Sequence, residues 1–400
     1  MLIPALIFTA TYLVVAMGRP PIGRLDRTGA ALLGASLMVA SGTLSLPEAY
    51  QAIDFDTITL LLGMMIIVAH LRLSGFFGLA TGLVMRHARR PLFLLIGLVV
   101  IAGALSAFLV NDTVCLMLTP LILDAAKRLN RKPVPYLLAL AMASNIGSAA
   151  TITGNPQNMM IGSFSHIAYG DFVRCLAPVA ALGLMVVIAL VALMHPASFL
   201  NEAPLPRIAL RLRWNRALLA TSLTVSAVAI AGFFFGIAPA KVAIVLGALL
   251  LLHPIKPARI YREIDWSLLL LFVGLFIVLA GAEKALLTPE LRQAMPSAGL
   301  THAPVLALIT AVLSNLVSNV PAVLALAPFI HDLPAPRQAW LVLAMASTLA
   351  GNFTLLGSVA NLIVAEGARK GGVELGFWAY FRVGAPLTLA TIALGVWWLG

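Results

Sequence analysis

A polar notch, Leu109-Val110-Asn111-Asp112-Thr113, interrupts an otherwise apolar run from Pro91 to Ala126, and the chain contains it twice. At a shift of 208 positions Ser106, Asn111, Pro120 and Asp124 fall on Ser314, Asn319, Pro328 and Asp332. An uncompensated Asn or Asp at membrane depth costs several kcal/mol, so a notch repeated at one place in two halves is a functional candidate. A second pair of polar stretches follows. Ser144 to Asn158 carries Gly147, Thr151, Gly154, Asn155 and Pro156, and at a shift of 203 it meets Ser347 to Asn361, with Asn352, Thr354, Gly357 and Ser358. Gly, Pro, Asn and Thr at this density break a helix. Two notches and two breaks together offer helix N-termini with free N–H groups to an anion and loop carbonyls to a cation.

The elements that must position these groups are membrane helices. Sixty-one per cent of the residues are hydrophobic and ten per cent charged, whereas a soluble domain is about a quarter charged. This composition describes an all-α polytopic membrane protein. Five crossings are expected in the first half, at 2–17, 28–45, 57–72, 134–162 and 172–194. Five more are expected at 217–236, 241–253, 266–283, 338–365 and 377–399, with 134–162 and 338–365 discontinuous. Each half adds a hairpin, at 91–130 and 304–332. The halves run over 1–200 and 217–400, joined by a cytoplasmic linker at 201–216. Asp54 and Gly63 matching Asp265 and Gly274, and Leu140 to Ser144 matching Leu343 to Ser347, extend the repeat along nearly the whole chain.

An odd number of crossings per half inverts the second copy. The basic residues agree: 21 of the 26 Lys and Arg, among them Arg19, Arg24, Arg27, Arg207, Arg211 and Arg213, fall on connections assigned to the cytoplasm. Both termini then face out of a cell inner (plasma) membrane. The same rule puts both feet of the first hairpin inside. Its second limb, taken as Val114 to Ala126, spans about 20 Å, too short to cross, so the hairpin is expected to be re-entrant. The net charge of +11 is spread over short loops and sets topology, so no nucleic-acid partner is expected.

Paired hairpin tips of the form Ser-Asn-Thr with a proline farther along, and broken helices ending Gly-x-Pro-x-Asn, resemble the ion transporter superfamily. That group holds divalent-anion and citrate symporters, sodium/proton antiporters and arsenite permeases. The resemblance spans essentially the whole chain. It implies an elevator-type carrier, usually a homodimer, with one substrate site between two cation sites. Carried over by position, the first cation site uses Ser106, Asn111 and the Gly147 region. The second uses Ser314, Ser318, Asn319 and the Ala350 region, with sodium as the metal. Substrate meets Asn111, Thr113, Asn155, Pro156, Asn158, Asn319, Ser358 and Asn361. The first tip reads Val110-Asn111-Asp112 where carboxylate symporters have Ser-Asn-Thr, which is closer to arsenite permeases. Gly154 to Asn158 is closer to the anion and antiporter branches. The expected function is ion-coupled secondary transport of a small carboxylate or oxyanion, with arsenite/antimonite efflux, sodium/proton antiport and an anion channel as alternatives.

Plainer readings stand beside these. Asn111, Asn319 and Asp112 suit helix N-caps, Ser106 and Ser314 can bond the preceding turn, and His70 suits a packed histidine. Asp112, the carboxylate of the notches, is also the natural coupling residue if protons drive transport. No cofactor is expected. The absence of a His-Glu-x-x-His pattern, a Gly-x-Ser-x-Gly elbow and a P-loop argues against an enzyme or an ATP-driven pump, leaving no catalytic residue to name.

Overall fold

The computed structural model describes residues 2–17, 25–200, 204–206, 214–287 and 299–400. Arg19, Arg24, Arg207, Arg211, Arg213 and most of the 201–216 linker lie outside the described residues.

The described residues form helices and no strand. In the first half these are α1 (Leu2–Met17), α2 (Arg27–Ala40), α3 (Leu46–Gln51), α4 (Phe55–Ser74), α5 (Phe76–His87), α6 (Pro91–Phe108), α7 (Asn111–Arg128), α8 (Val134–Ser148), α9 (Pro156–Ser165), α10 (Tyr169–Met194) and α11 (Pro196–Phe199). The second half holds α12 (Arg216–Phe234), α13 (Pro239–Leu250), α14 (Pro257–Tyr261), α15 (Trp266–Leu286), α16 (Ala303–Val317), α17 (Asn319–Ile330), α18 (Pro336–Ala350), α19 (Val359–Lys370) and α20 (Phe377–Leu399). Large apolar side chains such as Leu6, Leu13, Leu193, Leu389 and Trp397 are exposed on the outer faces, as in a protein whose solvent is hydrocarbon.

The expected helix at 28–45 ends at Ala40. Gly42 turns the chain at φ +73°, and a capping box in which Ser45 and Glu48 bond each other's backbone N–H starts α3. Lys284 Nζ donates to Glu48 Oε1 at 2.5 Å and ties α3 to the end of α15. That bond, with those from Ser45, holds the Glu48 carboxyl down at about 2.

The halves are interleaved. Gly63 of α4 lies against the backbone of Ala243 on α13, and Gly274 of α15 lies the same way against Ala31 on α2. A side chain at either glycine would separate a pair of helices contributed by different halves. The centre of the molecule is α8 and α18. Every residue from Pro135 to Ser148 and from Ala339 to Ala350 is buried, although these stretches include Ser144, Asn145, Ser148, Ser347 and Thr348.

The helices α6 and α7 run antiparallel. Leu94 and Leu98 near the start of one, and Leu118, Ile122 and Ala125 near the end of the other, line one apolar crevice with Val84 and Met85 of α5. The second limb differs from the 13 residues taken for it. Asn111 and Asp112 join its first turn and Lys127 and Arg128 its last, each sign of charge at the helix end that favours it. At 18 residues it spans about 27 Å, so length alone does not make this pair re-entrant.

Both discontinuous helices are broken close to the expected positions. The chain leaves α8 at Ser148, makes a short 3-10 turn over Ile152–Gly154 and re-enters a helix at Pro156. Its counterpart leaves α18 at Ala350 and re-enters at Val359. Proline at the first helical position gives up an N–H that has no partner there. Asn155 caps α9 by accepting from Asn158 N at 2.8 Å, and Ser358 caps α19 by accepting from Ala360 N at 3.2 Å. Gly154 lies over Ser148 O and Gly357, 203 positions on, over Gly351 O. A Cβ at Gly154 would collide with that carbonyl, and one at Gly357 would press on Asn315 Oδ1 as well as on the carbonyl.

Candidate functional site

The two tips and the two breaks meet at one small cavity of about 60 Å³, enough for about two waters. Its polar lining comes from Asn111 and Asp112 of α7, Gln157 of α9, Ser318 and Asn319 at the second tip, Ser358 at the second break, and Arg27 at the start of α2. Pro156 also lines it, together with Val15 and Leu268. Among the described lining residues Asp112 is the only carboxylate and Arg27 the only cation.

Beneath the cavity lies an amide network. Asn145 Oδ1 accepts from Asn111 Nδ2 at 3.2 Å and from Ser358 Oγ at 3.0 Å. Its Nδ2 donates to Asn352 Oδ1 and Asn361 Oδ1, both at 2.9 Å. All four hydrogen-bonding positions of this amide are used, and they join the first tip to the second break. Thr348, at the repeat position of Asn145, gathers the other side. Its Oγ1 accepts from Asn155 Nδ2 and Gln157 Nε2, each at 3.2 Å. Asn145, Thr348 and Gln157 were not singled out from the sequence, and Asn352 was read only as part of a helix break. Their polarity is visible in the sequence, but it lies within the stretches read as breaks, where many polar residues stand together.

The residues singled out from the sequence fall into groups. Asn111, Asp112, Pro156, Ser318, Asn319 and Ser358 line the cavity, while Thr113 does not. Asn155, Asn158 and Asn361 are buried beneath it with amides already committed. Asn158 Nδ2 donates to Ser148 O and Thr151 O at 3.2 and 3.0 Å, and Asn361 Nδ2 to Gly351 O and Thr354 O at 2.7 and 3.1 Å. Ser106 Oγ is 2.8 Å from Ser144 Oγ. Because Ser144 gives its proton to Asn111 O at 3.1 Å, Ser106 is the donor in that pair. Gly147 packs directly on the backbone of Gly103, which brings α8 against α6 behind the first tip. His70 is packed, its Nδ1 2.8 Å from Ile66 O.

Neither tip asparagine acts as a cap. The residues preceding α7 and α17 are Val110 and Ser318, and neither helix start has a side-chain cap bond. The second tip carries strain: Ser318 sits at φ +77°, ψ 162°, a region that side chains other than hydrogen occupy at a cost of about 1–3 kcal/mol. Tyr12 OH donates to Pro321 O at 3.3 Å and steadies this tip from α1. Around it buried oxygens lack partners among the described residues: Thr310 Oγ1, Ser314 Oγ, Asn315 Oδ1 and Asn319 Oδ1. On the first tip Asn111 Oδ1 is in the same condition. Neutral oxygens without donors are what a hard cation recruits.

One cleft adjoins the site through Arg27 and Ser318, and a second lies beside the half-helix that follows the first break. The larger, about 780 Å³, is lined by Arg27, Asn315, Ser318, Leu362, Ala365, Glu366, Arg369 and Glu374. The smaller, about 240 Å³, is lined by Asp56, Met159, Gly162, Ser163, His166 and Pro239. Met159, Gly162, Ser163 and His166 are the repeat positions of Leu362, Ala365, Glu366 and Arg369, so each cleft runs along the half-helix that follows one break.

The sequence profile described as "Citrate transporter" matches residues 12–350. A transporter of Mycobacterium tuberculosis is 32% identical over 98% of this chain and 96% of its own length. The silicon efflux transporter LSI3 of Oryza sativa subsp. japonica is 29% identical over 97% of this chain and 95% of its own. The Alcanivorax borkumensis YdaH transporter superposes with a TM-score of 0.61 at 16% identity, covering 99% of this chain and 95% of that one, a likeness of fold. Apolar helices long enough to cross a bilayer recur from Phe55–Ser74 to Phe377–Leu399. With both tips and both breaks at one cavity, this is a multi-pass membrane transporter, and the chain belongs to the citrate transporter family.

Proposed function

We propose that the chain is an ion-coupled secondary active transporter of a small anion, a carboxylate or oxyanion, working by elevator-type alternating access. The observation that carries this reading is the cavity lined jointly by Asn111, Asp112, Gln157, Ser318, Asn319 and Ser358. A carrier needs one site that two gates reach in turn, and residues from both halves of the repeat around one cavity supply it. The halves, 1–200 and 217–400 with 201–216 between them, are read as inverted repeats. The pairs α6–α7 and α16–α17 are read as re-entrant hairpins entering from opposite faces. The large cleft at Glu366 and Arg369 is then the cytoplasmic vestibule, the narrower one at Asp56 and His166 the external one, and the conformation is inward-open. Two copies working side by side as a homodimer fit the exposed apolar faces as well as lipid does.

Sodium is one coupling ion the site suits. Ser314, Asn315 and Asn319 hold unpaired oxygens beside the second tip, whereas Ser106 is engaged with Ser144. The second cation position, with Ser318 and the Ala350 region, is therefore the better formed. Protons are the other, through Asp112. Arsenite or silicic acid is a second substrate class, favoured by the rice silicon efflux relative and by the Asn-Asp tip.

The test is counterflow. Proteoliposomes loaded with unlabelled citrate, sulfate or arsenite should take up the same labelled compound against its gradient, for at least one of them. Linear uptake of every probe, with no overshoot and no saturation, would mean a pore or no transport.

A further inference from the structure

We propose that Arg27 is the anion-selecting residue of this transporter, the group that meets a carboxylate or other oxyanion where the large cleft opens into the cavity. The inference rests on the transport reading above and names a residue and a charge preference that the tips and breaks do not provide. Arg27 and Ser318 line both the cleft and the cavity, so Arg27 stands at the junction of the two.

Three observations point to an anionic guest. The first is that the guanidinium has no hydrogen bond or ion pair among the described residues, although its neighbours are engaged. Asp26 caps α2 by accepting from Gly29 N at 2.7 Å, and Thr28 Oγ1 donates to Ser267 O at 3.0 Å. These bonds fix the first turn of α2 against α15 and leave Arg27 facing the cavity. The second is that Arg27 is the first residue of its helix, the end where a cation is electrostatically unfavourable. Asp112, Glu366 and Glu374 share its cavity or its cleft, but none of them pairs with it among the described residues. The third is that the repeat does not carry this charge. Gly63 meets Ala243 as Gly274 meets Ala31, which aligns Arg27 with Pro239. Pro239 lines the smaller cleft where Arg27 lines the larger. The two clefts thus share a plan, and one of them has acquired a cation at the threshold.

A guanidinium presents parallel N–H donors that match the two oxygens of a carboxylate. The tips offer amides and hydroxyls, which hold neutral hydroxides as well as anions. Arg27 is what favours the anion, and Asp112 across the same cavity keeps the empty site from being strongly positive. An ordinary topological arginine would sit at the headgroup level with no access to the cavity.

The experiment uses full-length protein lacking Cys115 and Cys175, reconstituted in liposomes. A single cysteine at Ser318 is modified by an anionic sulfonatoethyl and a cationic trimethylammonioethyl thiosulfonate reagent, with Arg27 present and in R27Q and R27K. The ratio of anionic to cationic rate should fall about tenfold in R27Q, as expected for one unit charge acting over several ångströms of partly hydrated cleft, and should be retained in R27K. Citrate counterflow by the Ser318-bearing protein should show a half-saturation concentration at least tenfold higher in R27Q, with R27K intermediate because it keeps charge and loses the fork. An unchanged thiol ratio in R27Q overturns the proposal whatever the substrate proves to be. A wild type that exchanges no probe overturns the transport reading, while the thiol ratio still decides Arg27.

Discussion

Asn158 and Asn361 make the same contact 203 residues apart: each donates its amide to the carbonyls ten and seven residues earlier. For Asn158 these are Ser148 and Thr151, for Asn361 Gly351 and Thr354. Each bond closes the loop that interrupts a membrane helix, satisfying carbonyls that hydrocarbon cannot. These asparagines hold the breaks in shape from beneath the cavity, and Ser358 and Gln157 face it.

Asn158→Ala and Asn361→Ala should therefore destabilise the protein by about 2–4 kcal/mol each, since each strands two buried carbonyls. Thermal unfolding in detergent is the check. The matched geometry makes the cost at the loop carbonyls similar, and Asn361→Ala should lose more because Asn145 Nδ2 also loses its acceptor. A variant with wild-type stability and no transport would instead make that asparagine a direct substrate ligand.

Ser318→Gly removes the side chain from a backbone conformation that glycine occupies freely. A gain in stability of about 1 kcal/mol is expected, together with slower transport because the hydroxyl at the second tip is gone. Unfolding midpoints and counterflow rates, measured on the same preparation, read both effects. No gain in stability would mean that the tip is not strained.

Much of this was legible in the sequence, and the limits have physical causes. The notches and breaks could be read because polarity in an apolar run is rare and a repeat doubles the signal. Asn145 lies in the same apolar surroundings, but nothing in a one-dimensional pattern reveals that its amide bonds Asn111, Ser358, Asn352 and Asn361, which are up to 216 positions away. Arg27 was legible only as one more basic residue on a loop. Its approach to the cavity depends on the packing of α2 against α15. The second limb of the first hairpin came out short because its charged ends, Asp112 and Lys127, look like boundaries in a hydropathy profile, although they suit the two ends of a helix.

Cysteines at Ser163 and Glu366, in a background lacking Cys115 and Cys175, test the inverted arrangement. They line the smaller and the larger cleft at matched repeat positions. An impermeant thiol reagent outside whole cells should label Ser163→Cys, and Glu366→Cys only after the membrane is opened. Labelling of both from one side contradicts opposed entrances.

Asp112→Asn keeps the shape of the first tip and removes the titration. If protons couple through this carboxylate, substrate flux in the variant should no longer follow an imposed pH gradient, while flux under a sodium gradient keeps its direction. A variant that still tracks the pH gradient as wild type does removes Asp112 from the coupling path.

The central claim is that both tips build one transport site, and the most direct test is counterflow by Asn111→Ala and Asn319→Ala in proteoliposomes, alongside their unfolding midpoints. Each variant should lose at least about 90% of saturable exchange, a barrier change of about 1.4 kcal/mol or more. Asn319→Ala should stay within about 1 kcal/mol of wild-type stability, because its side-chain oxygen has no partner to lose. Near wild-type exchange in either variant contradicts a site shared between the two halves.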